Sequence, residues 1–199
     1  MYCILVTGIP AAGKSTMAEV LAEHLELPVI SKDKIKELLY DTIGFSSREE
    51  KVKLGIASMN IMYYMAEQLM KRGQSFILEN NFENVSKEGL LAILEKYSYK
   101  AITVTLTGDY EKIYQRFLKR NDSSDRHRGH VVNDCYPEKM QNNSVAPISY
   151  ESFVDGIVNR GMDRFVANGP HIILDTTDFT QINQDKLLQQ IMDYLTIGI

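Results

Sequence analysis

The chain is poor in cysteine, in long apolar runs and in net positive charge, and each shortage excludes something. Cys3 and Cys135 are the only two cysteines in 199 residues, too few for a disulfide framework. Cys3 is expected in the core and Cys135 in a loop, which suits a reducing cytoplasm. No stretch approaches the roughly 20 apolar residues that a membrane-spanning helix needs. The first apolar run begins at once, so no room is expected for a signal peptide. The net charge of −4 disfavours nucleic-acid binding through bulk electrostatics. There is no zinc-ligand spacing, no convincing Ser/His/Asp triad and no Asn-Lys-x-Asp guanine signature. Internal repeats, low-complexity tracts and interdomain linkers are also missing, so residues 1–199 read as one domain. A hydrophobic content of 44% is ordinary for a globular protein with a full core.

What is present begins at Gly8-Ile9-Pro10-Ala11-Ala12-Gly13-Lys14-Ser15, a match to G-x-x-x-x-G-K-[ST] at every fixed position. The apolar run Tyr2–Val6 leads in as a strand, and a helical pattern from Met17 to Leu25 leads out. Gly8 and Gly13 allow positive φ and close backbone approach, so that backbone N–H groups form a nest for phosphate. The following helix aims its N-terminal dipole at the same anion. Lys14 adds a point charge for the β- and γ-phosphates. The Ser15 hydroxyl is placed for Mg²⁺, and Thr16 offers a hydroxyl near the α-phosphate. A plain glycine turn before an amphipathic helix would leave Gly-Lys-Ser-Thr at this offset unexplained.

Strands and helices alternate along the chain. Strands are expected at Tyr2–Thr7, Pro28–Ser31, Ser75–Glu79, Ala101–Leu106 and His171–Asp175. Helices are expected at Lys14–Leu25, Lys34–Tyr40, from Ser47 to Gly73, at Ser86–Tyr97, from Asp109 to Arg120, through Phe153, Ile157, Met162 and Phe165, and at Gln184–Leu195. Ser47-Arg48-Glu49-Glu50 reads as a capping box. The long helix after it is apolar on more than one side and is expected to be well buried. Near-continuous apolar strands separated by helices predict an α/β fold with a parallel sheet covered on both faces. Ligands then bind beyond the carboxyl ends of the strands.

The residues at those ends are the candidates. Asp33, after strand two, reads equally as a first-turn helix acid or as a carboxylate that takes a proton from an acceptor hydroxyl. Glu79 closes strand three and is favoured as a metal-orienting acid, although Asp is usual there. Asp175-Thr176-Thr177, after strand five, is expected in the wall of a nucleobase pocket. Arg116 and Arg120, at i and i+4, read either as a solvated pair or as a clamp on ATP and the moving phosphoryl. Between Lys112 and His130 six basic residues face two acidic ones. Such a local patch in an acidic chain suits a phosphorylated ligand.

With these residues in hand, the chain resembles the P-loop kinases, specifically the AAA_33-like kinase group. That group is similar to chloramphenicol phosphotransferase, zeta toxin and the kinase half of polynucleotide kinase. The resemblance is carried by Gly8–Thr16, Ile30-Ser31-Lys32-Asp33, Phe76–Phe82, Arg116–Arg120 and Leu174–Thr177. It implies a three-layer α/β/α P-loop fold with sheet order 2-3-1-4-5, ATP and Mg²⁺, and a lid over residues 121–147. It implies catalytic roles for Lys14, Asp33 and Arg120, with Asp33 as the base. It places ATP on Gly8, Pro10, Ala11, Ala12, Gly13, Lys14, Ser15, Thr16, Arg116, Arg120 and Thr176, and the metal at Ser15 and Glu79. Glu79 departs from the group, and so does Ala11-Ala12, where a Gly-Ser pair is frequent. The expected activity is γ-phosphate transfer from ATP to a hydroxyl of a small molecule. The alternatives are a nucleotide kinase, a polynucleotide 5′-hydroxyl kinase and a non-transferring switch. The acceptor walls, expected at 35–45 and 80–85, contain Tyr40, Phe45, Asn80, Asn81 and Phe82 and suggest apolar and amide character. The nucleotide-kinase alternative needs acceptor-side arginines, and Arg48 is the only evident candidate before strand three.

Overall fold

The structure is a computed structural model that describes residues 1–138 and 146–197. In chain order its elements are β1 (Tyr2–Gly8), α1 (Lys14–Leu25), β2 (Val29–Ser31), α2 (Lys32–Ile43), α3 (Arg48–Met70), β3 (Ile77–Glu79), α4 (Asn84–Lys96), β4 (Lys100–Thr107), α5 (Tyr110–Asn121), α6 (Arg128–Val131), α7 (Tyr150–Arg160), β5 (His171–Asp175) and α8 (Gln184–Ile197), with a short 3-10 turn at Phe179–Gln181. The sheet is parallel with order β2-β3-β1-β4-β5, as the resemblance implied.

Central β1 is apolar throughout because it is covered on both faces. Its alternate side chains feed two cores. Ile4 and Val6 join Met17 and Leu21 of α1, Ile113 of α5, Ile157 of α7 and Ile191 of α8. Cys3 and Leu5 join Met62, Ala66 and Met70 of α3 and Leu90 and Leu94 of α4. Cys3 is fully buried, and that burial pushes its thiol up to about 12. Such a thiol is inert.

Three local expectations change. α2 starts two residues earlier and ends three later than its periodicity suggested, because Ser31 caps it by accepting from the Lys34 N–H. α3 is not wrapped by protein: Met62, Ala66 and Met70 are buried, but Ile56 and Tyr64 are more than half exposed. A helix in an outer layer has one face against the sheet, and no further layer covers the opposite side of α3. Its cap is a split capping box. Ser47 accepts from the Glu50 N–H, but Glu50 reaches the Ser46 N–H rather than that of Ser47. Finally, α7 stops at Gly161, which adopts φ 69°. Met162 and Phe165 therefore enter the cores from a loop, Phe165 stacked on Phe82 with centroids 5.2 Å apart.

The expected lid is more ordered than its polar composition suggests. Residues 139–145 of it lie outside the described residues. The part before them carries α6 and a third small core, in which Val132 and Tyr136 meet Tyr40, Phe45 and Leu54. Lys51 of α3 ties this segment down. Its buried ammonium donates to the carbonyls of His130 and Val132 and to Asn133 Oδ1. Burial, aided by the charges of Lys36, Arg48 and Arg126, pushes its pKa down to about 7. Lys51→Met should orphan these acceptors and destabilise the fold by about 1–3 kcal/mol. Urea unfolding measures the loss, and faster amide exchange confined to 127–136 locates it.

Candidate active site

The site forms where β1, β2 and β3 end side by side. Register pairs Val6 with Glu79 and Glu79 with Ser31. The acid that ends β3 therefore stands two residues before the phosphate loop on one side and next to the start of α2 on the other. Ser31 Oγ donates to Glu79 Oε2 at 2.5 Å while it caps α2, and this one contact fixes Glu79 relative to Asp33. Burial raises the Glu79 carboxyl, and the opposing pull of Lys14, the Ser31 hydrogen bond and Arg120 does not cancel it.

The phosphate loop has the backbone that its sequence demands. Gly8 adopts φ 126° with Leu106 O only 2.0 Å from where a Cβ would stand, so any side chain there collides with β4. Gly13 adopts φ 88° at the cap of α1. Ala11 adopts φ 64°, a left-handed conformation that costs a non-glycine residue roughly 1–2 kcal/mol. This is the physical content of its departure from the more frequent glycine. Pro10 and Gly13 line the cleft while Ala12 is buried beneath it. Lys14 is buried, and its ammonium donates to Ile9 O at 2.8 Å across the loop. Burial brings its pKa down to about 8 against the pull of Glu79 and Asp33, with Arg120 and Arg126 acting in the same direction as burial. Ser15 and Thr16 are exposed at the first turn of α1. They fit an Mg²⁺–triphosphate ligand, since their hydroxyls and the glycine-lined nest face one cavity. Among the described residues no cluster of three or more His, Cys, Asp or Glu could hold a metal by itself.

All the main candidates line one cleft of about 780 Å³: Lys14, Ser15, Asp33, Glu79, Arg116 and Arg120. Asp33 lies in the first turn of α2. Burial pushes its carboxyl up, but His130, Lys36, Lys32 and Arg126 outweigh burial and hold it below the ordinary aspartate value. Arg120 is brought down to about 10 by burial and by Arg126, against Asp33 and Glu79, and among the described residues its Nε is buried without a hydrogen-bond partner.

Arg116 is built into the far wall. Its guanidinium donates to the carbonyls of Thr176 and Thr177, both at 2.5 Å, and lies 4.1 Å from the centroid of Phe179. Thr176 is fully buried, and its hydroxyl donates to Thr107 O, so its side chain is spent on holding the β5 loop to β4. Phe179, half exposed, packs within 2.8 Å of the Cβ position of Gly13. It offers the flat face that Thr176 does not. No sequence motif marks Phe179; its position two residues beyond Thr177 was the available signal. Phe179→Ala should weaken nucleotide binding by about 3–30-fold, from lost stacking and cation–π contact, as read by fluorescent-nucleotide titration.

The acceptor half differs most from expectation. Tyr40, Phe45 and Phe82 are buried in cores and do not reach the cleft. Of the residues singled out in the expected wall, Asn80 and Asn81 line the cleft, and Lys36, Glu37 and Glu83 of the same stretches do so too. Arg48 points elsewhere, donating to Asn133 Oδ1 at 3.1 Å. Its place is taken by Lys36, Arg126 and Arg160, together with Glu37 and His130. Side chains of α2 at i, i+3 and i+4 from Asp33 share a face, so Lys36 and Glu37 were readable from that spacing.

The chain matches the AAA_18 family, an AAA domain, over residues 4–143. It belongs to that family. No curated protein is significantly similar to it. Among solved structures, a candidate kinase from Chloroflexus aurantiacus is 26% identical with a TM-score of 0.78, covering 100% of this chain and 97% of the other. A gluconokinase from Sinorhizobium meliloti has a TM-score of 0.53 at 13% identity, covering 98% and 91%. A shikimate kinase from Bacteroides thetaiotaomicron has a TM-score of 0.53 at 13% identity, covering 98% of both chains. The last two share the fold. The chain therefore has the P-loop kinase fold. Among its described residues no helix is long and apolar enough to cross a membrane.

Proposed function

We propose that the protein moves the γ-phosphoryl of ATP to a hydroxyl of a small molecule, as one domain whose lid residues, described at 121–138 and 146–147, close over the reactants. The observation that carries this reading is the placement of Asp33. Its ionised carboxylate shares one recessed cleft with Lys14, Glu79 and Arg120. A nucleotide switch has no use for a base facing an open half-cleft, whereas a kinase needs one. The resemblance to the AAA_33-like kinases and the names of the gluconokinase and shikimate kinase of like fold support a hydroxyl acceptor. Two free cysteines, one of them inert in the core, suit the cytoplasm.

In this reading the loop 8–16 cradles the triphosphate and Arg116 with Phe179 holds the base. Mg²⁺, held through Ser15 with Glu79 orienting its water shell, would neutralise charge on the β- and γ-oxygens. Lys14 and Arg120 balance the charge that spreads over the phosphoryl oxygens as it moves. Asp33 receives the hydroxyl proton, and the covered cleft keeps water from taking the phosphoryl.

ADP release in the presence of Mg²⁺ tests this across nucleosides, nucleoside monophosphates, sugars, hydroxy acids, antibiotics and a 5′-hydroxyl oligonucleotide. Acceptor-stimulated turnover with a hydroxyl compound is expected. Turnover confined to nucleoside monophosphates, or ATP hydrolysis that no acceptor stimulates, would refute the reading.

A further inference from the structure

The acceptor half of the cleft carries a charge imbalance that the phosphate donor does not explain. Glu37 is held by Lys34 at 3.0 Å and His130 at 3.1 Å, and Glu83 by Arg160 at 3.2 Å. These acids and bases answer one another. Lys36 and Arg126 do not. Among the described residues neither makes an ion pair. Lys36 has its ammonium 5.4 Å from the centroid of Tyr40, and the Nε of Arg126 is buried with no hydrogen-bond partner. Both cations act on the carboxylate of Asp33, and Arg126 also feels Glu37. Leaving half-buried cations without an ion-pair partner costs free energy, and a ligand that supplies the missing anion recovers it.

Lys36 lies on the acceptor side. The charges that act most on Lys14 are Glu79, Asp33, Arg120 and Arg126, whereas those acting most on Lys36 are Asp33, Lys32, Arg48 and Arg126. Asp33 and Arg126 thus belong to both halves, and Lys36 to the half away from the phosphate loop. It stands three residues beyond Asp33 on α2, about 4.5 Å farther along the helix on the same face.

Resting on the kinase reading, we propose that the acceptor is a compact hydroxy compound bearing an anionic group, a carboxylate or a phosphate monoester. That group docks on Lys36 and Arg126 while the hydroxyl lies on Asp33. The acceptor oxygen forms the new bond to the γ-phosphorus, the bond from that phosphorus to the β–γ bridging oxygen breaks, and the electron pair leaves with ADP. The hydroxyl proton passes to Asp33. The short reach from Asp33 to Lys36 sets a few bonds between hydroxyl and anion, which excludes long-chain alcohols and oligonucleotide ends.

The test needs no knowledge of the substrate. Protein saturated with Mg²⁺ and a non-hydrolysable ATP analogue is titrated calorimetrically with inorganic phosphate and, separately, with malonate. At least one anion should bind, and Lys36→Met should weaken it by tenfold or more. Lys36→Arg should hold it within about threefold, with nucleotide affinity unchanged in both variants as the control for folding. Stronger phosphate binding assigns a phosphate monoester; stronger malonate binding assigns a carboxylate. Absence of anion binding to the nucleotide-loaded wild type, or equal binding in Lys36→Met, overturns the proposal. The kinase reading is judged separately, by ADP release, which this titration does not use.

Discussion

Asp33→Asn should lower phosphoryl transfer by about 10²–10⁴-fold, the usual contribution of a positioned base, while ATP still binds. The amide keeps the size of the carboxylate and can accept a hydrogen bond from the acceptor hydroxyl, but it cannot take the proton. A carboxylate held below its ordinary pKa is a weak base towards an unreacted alcohol. It suffices here because a loose transition state leaves the attacking oxygen little changed until the new P–O bond forms, when its proton becomes strongly acidic. Losing a negative charge close to Lys14 removes repulsion against the triphosphate, so ATP affinity should stay level or rise slightly. Single-turnover transfer and nucleotide titration on the same preparation separate the two effects. Full turnover in the variant would remove Asp33 from the base role. A large loss of ATP affinity with transfer intact would move it to the donor site.

Lys14→Ala should cost about 10²–10³-fold in kcat/KM for ATP, the scale of removing one preorganised charge from a moving phosphoryl. The wild type should also show a pH signature that this variant lacks. Burial holds the free Lys14 at about 8, below its ordinary 10.5, and a bound triphosphate raises it again. Nucleotide binding therefore takes up a proton above about pH 8, and affinity should fall by up to tenfold per pH unit from there. The sign for stability is opposite. Between about pH 8 and 10.5 the unfolded chain holds more protons at this lysine than the folded one does, so the Lys14 contribution to stability rises with pH across that window. Unchanged ATP affinity in Lys14→Ala, or a flat affinity profile in the wild type, would contradict the placement of this ammonium.

The donor half of the site was legible because its chemistry is local. Gly8, Gly13, Lys14 and Ser15 sit within eight residues, and backbone conformation at two glycines is enough to form a phosphate nest. The strand-end rule pointed to Glu79 and Asp33 for a related reason: parallel strands in register bring Glu79 beside Ser31, and Asp33 follows two residues later in α2. The rule failed where side-chain direction mattered. Tyr40 and Phe45 lie in the expected stretch but turn inward beneath 132–136, and Thr176 turns its hydroxyl to Thr107. Composition misled over α3, because apolar content does not say how many layers cover a helix.

The sequence by itself determined the alternation of strands and helices, the phosphate loop, the acid that ends β3 and the acid in the first turn after β2, since each follows from periodicity or from contacts within a few residues. Only the tertiary structure decided which cations face Asp33. Lys36 comes from α2 and Arg126 from the segment before α6, far apart along the chain. Their convergence depends on how those elements pack on the sheet, and the balance between their charges and the acids around them is set by burial that no local pattern encodes.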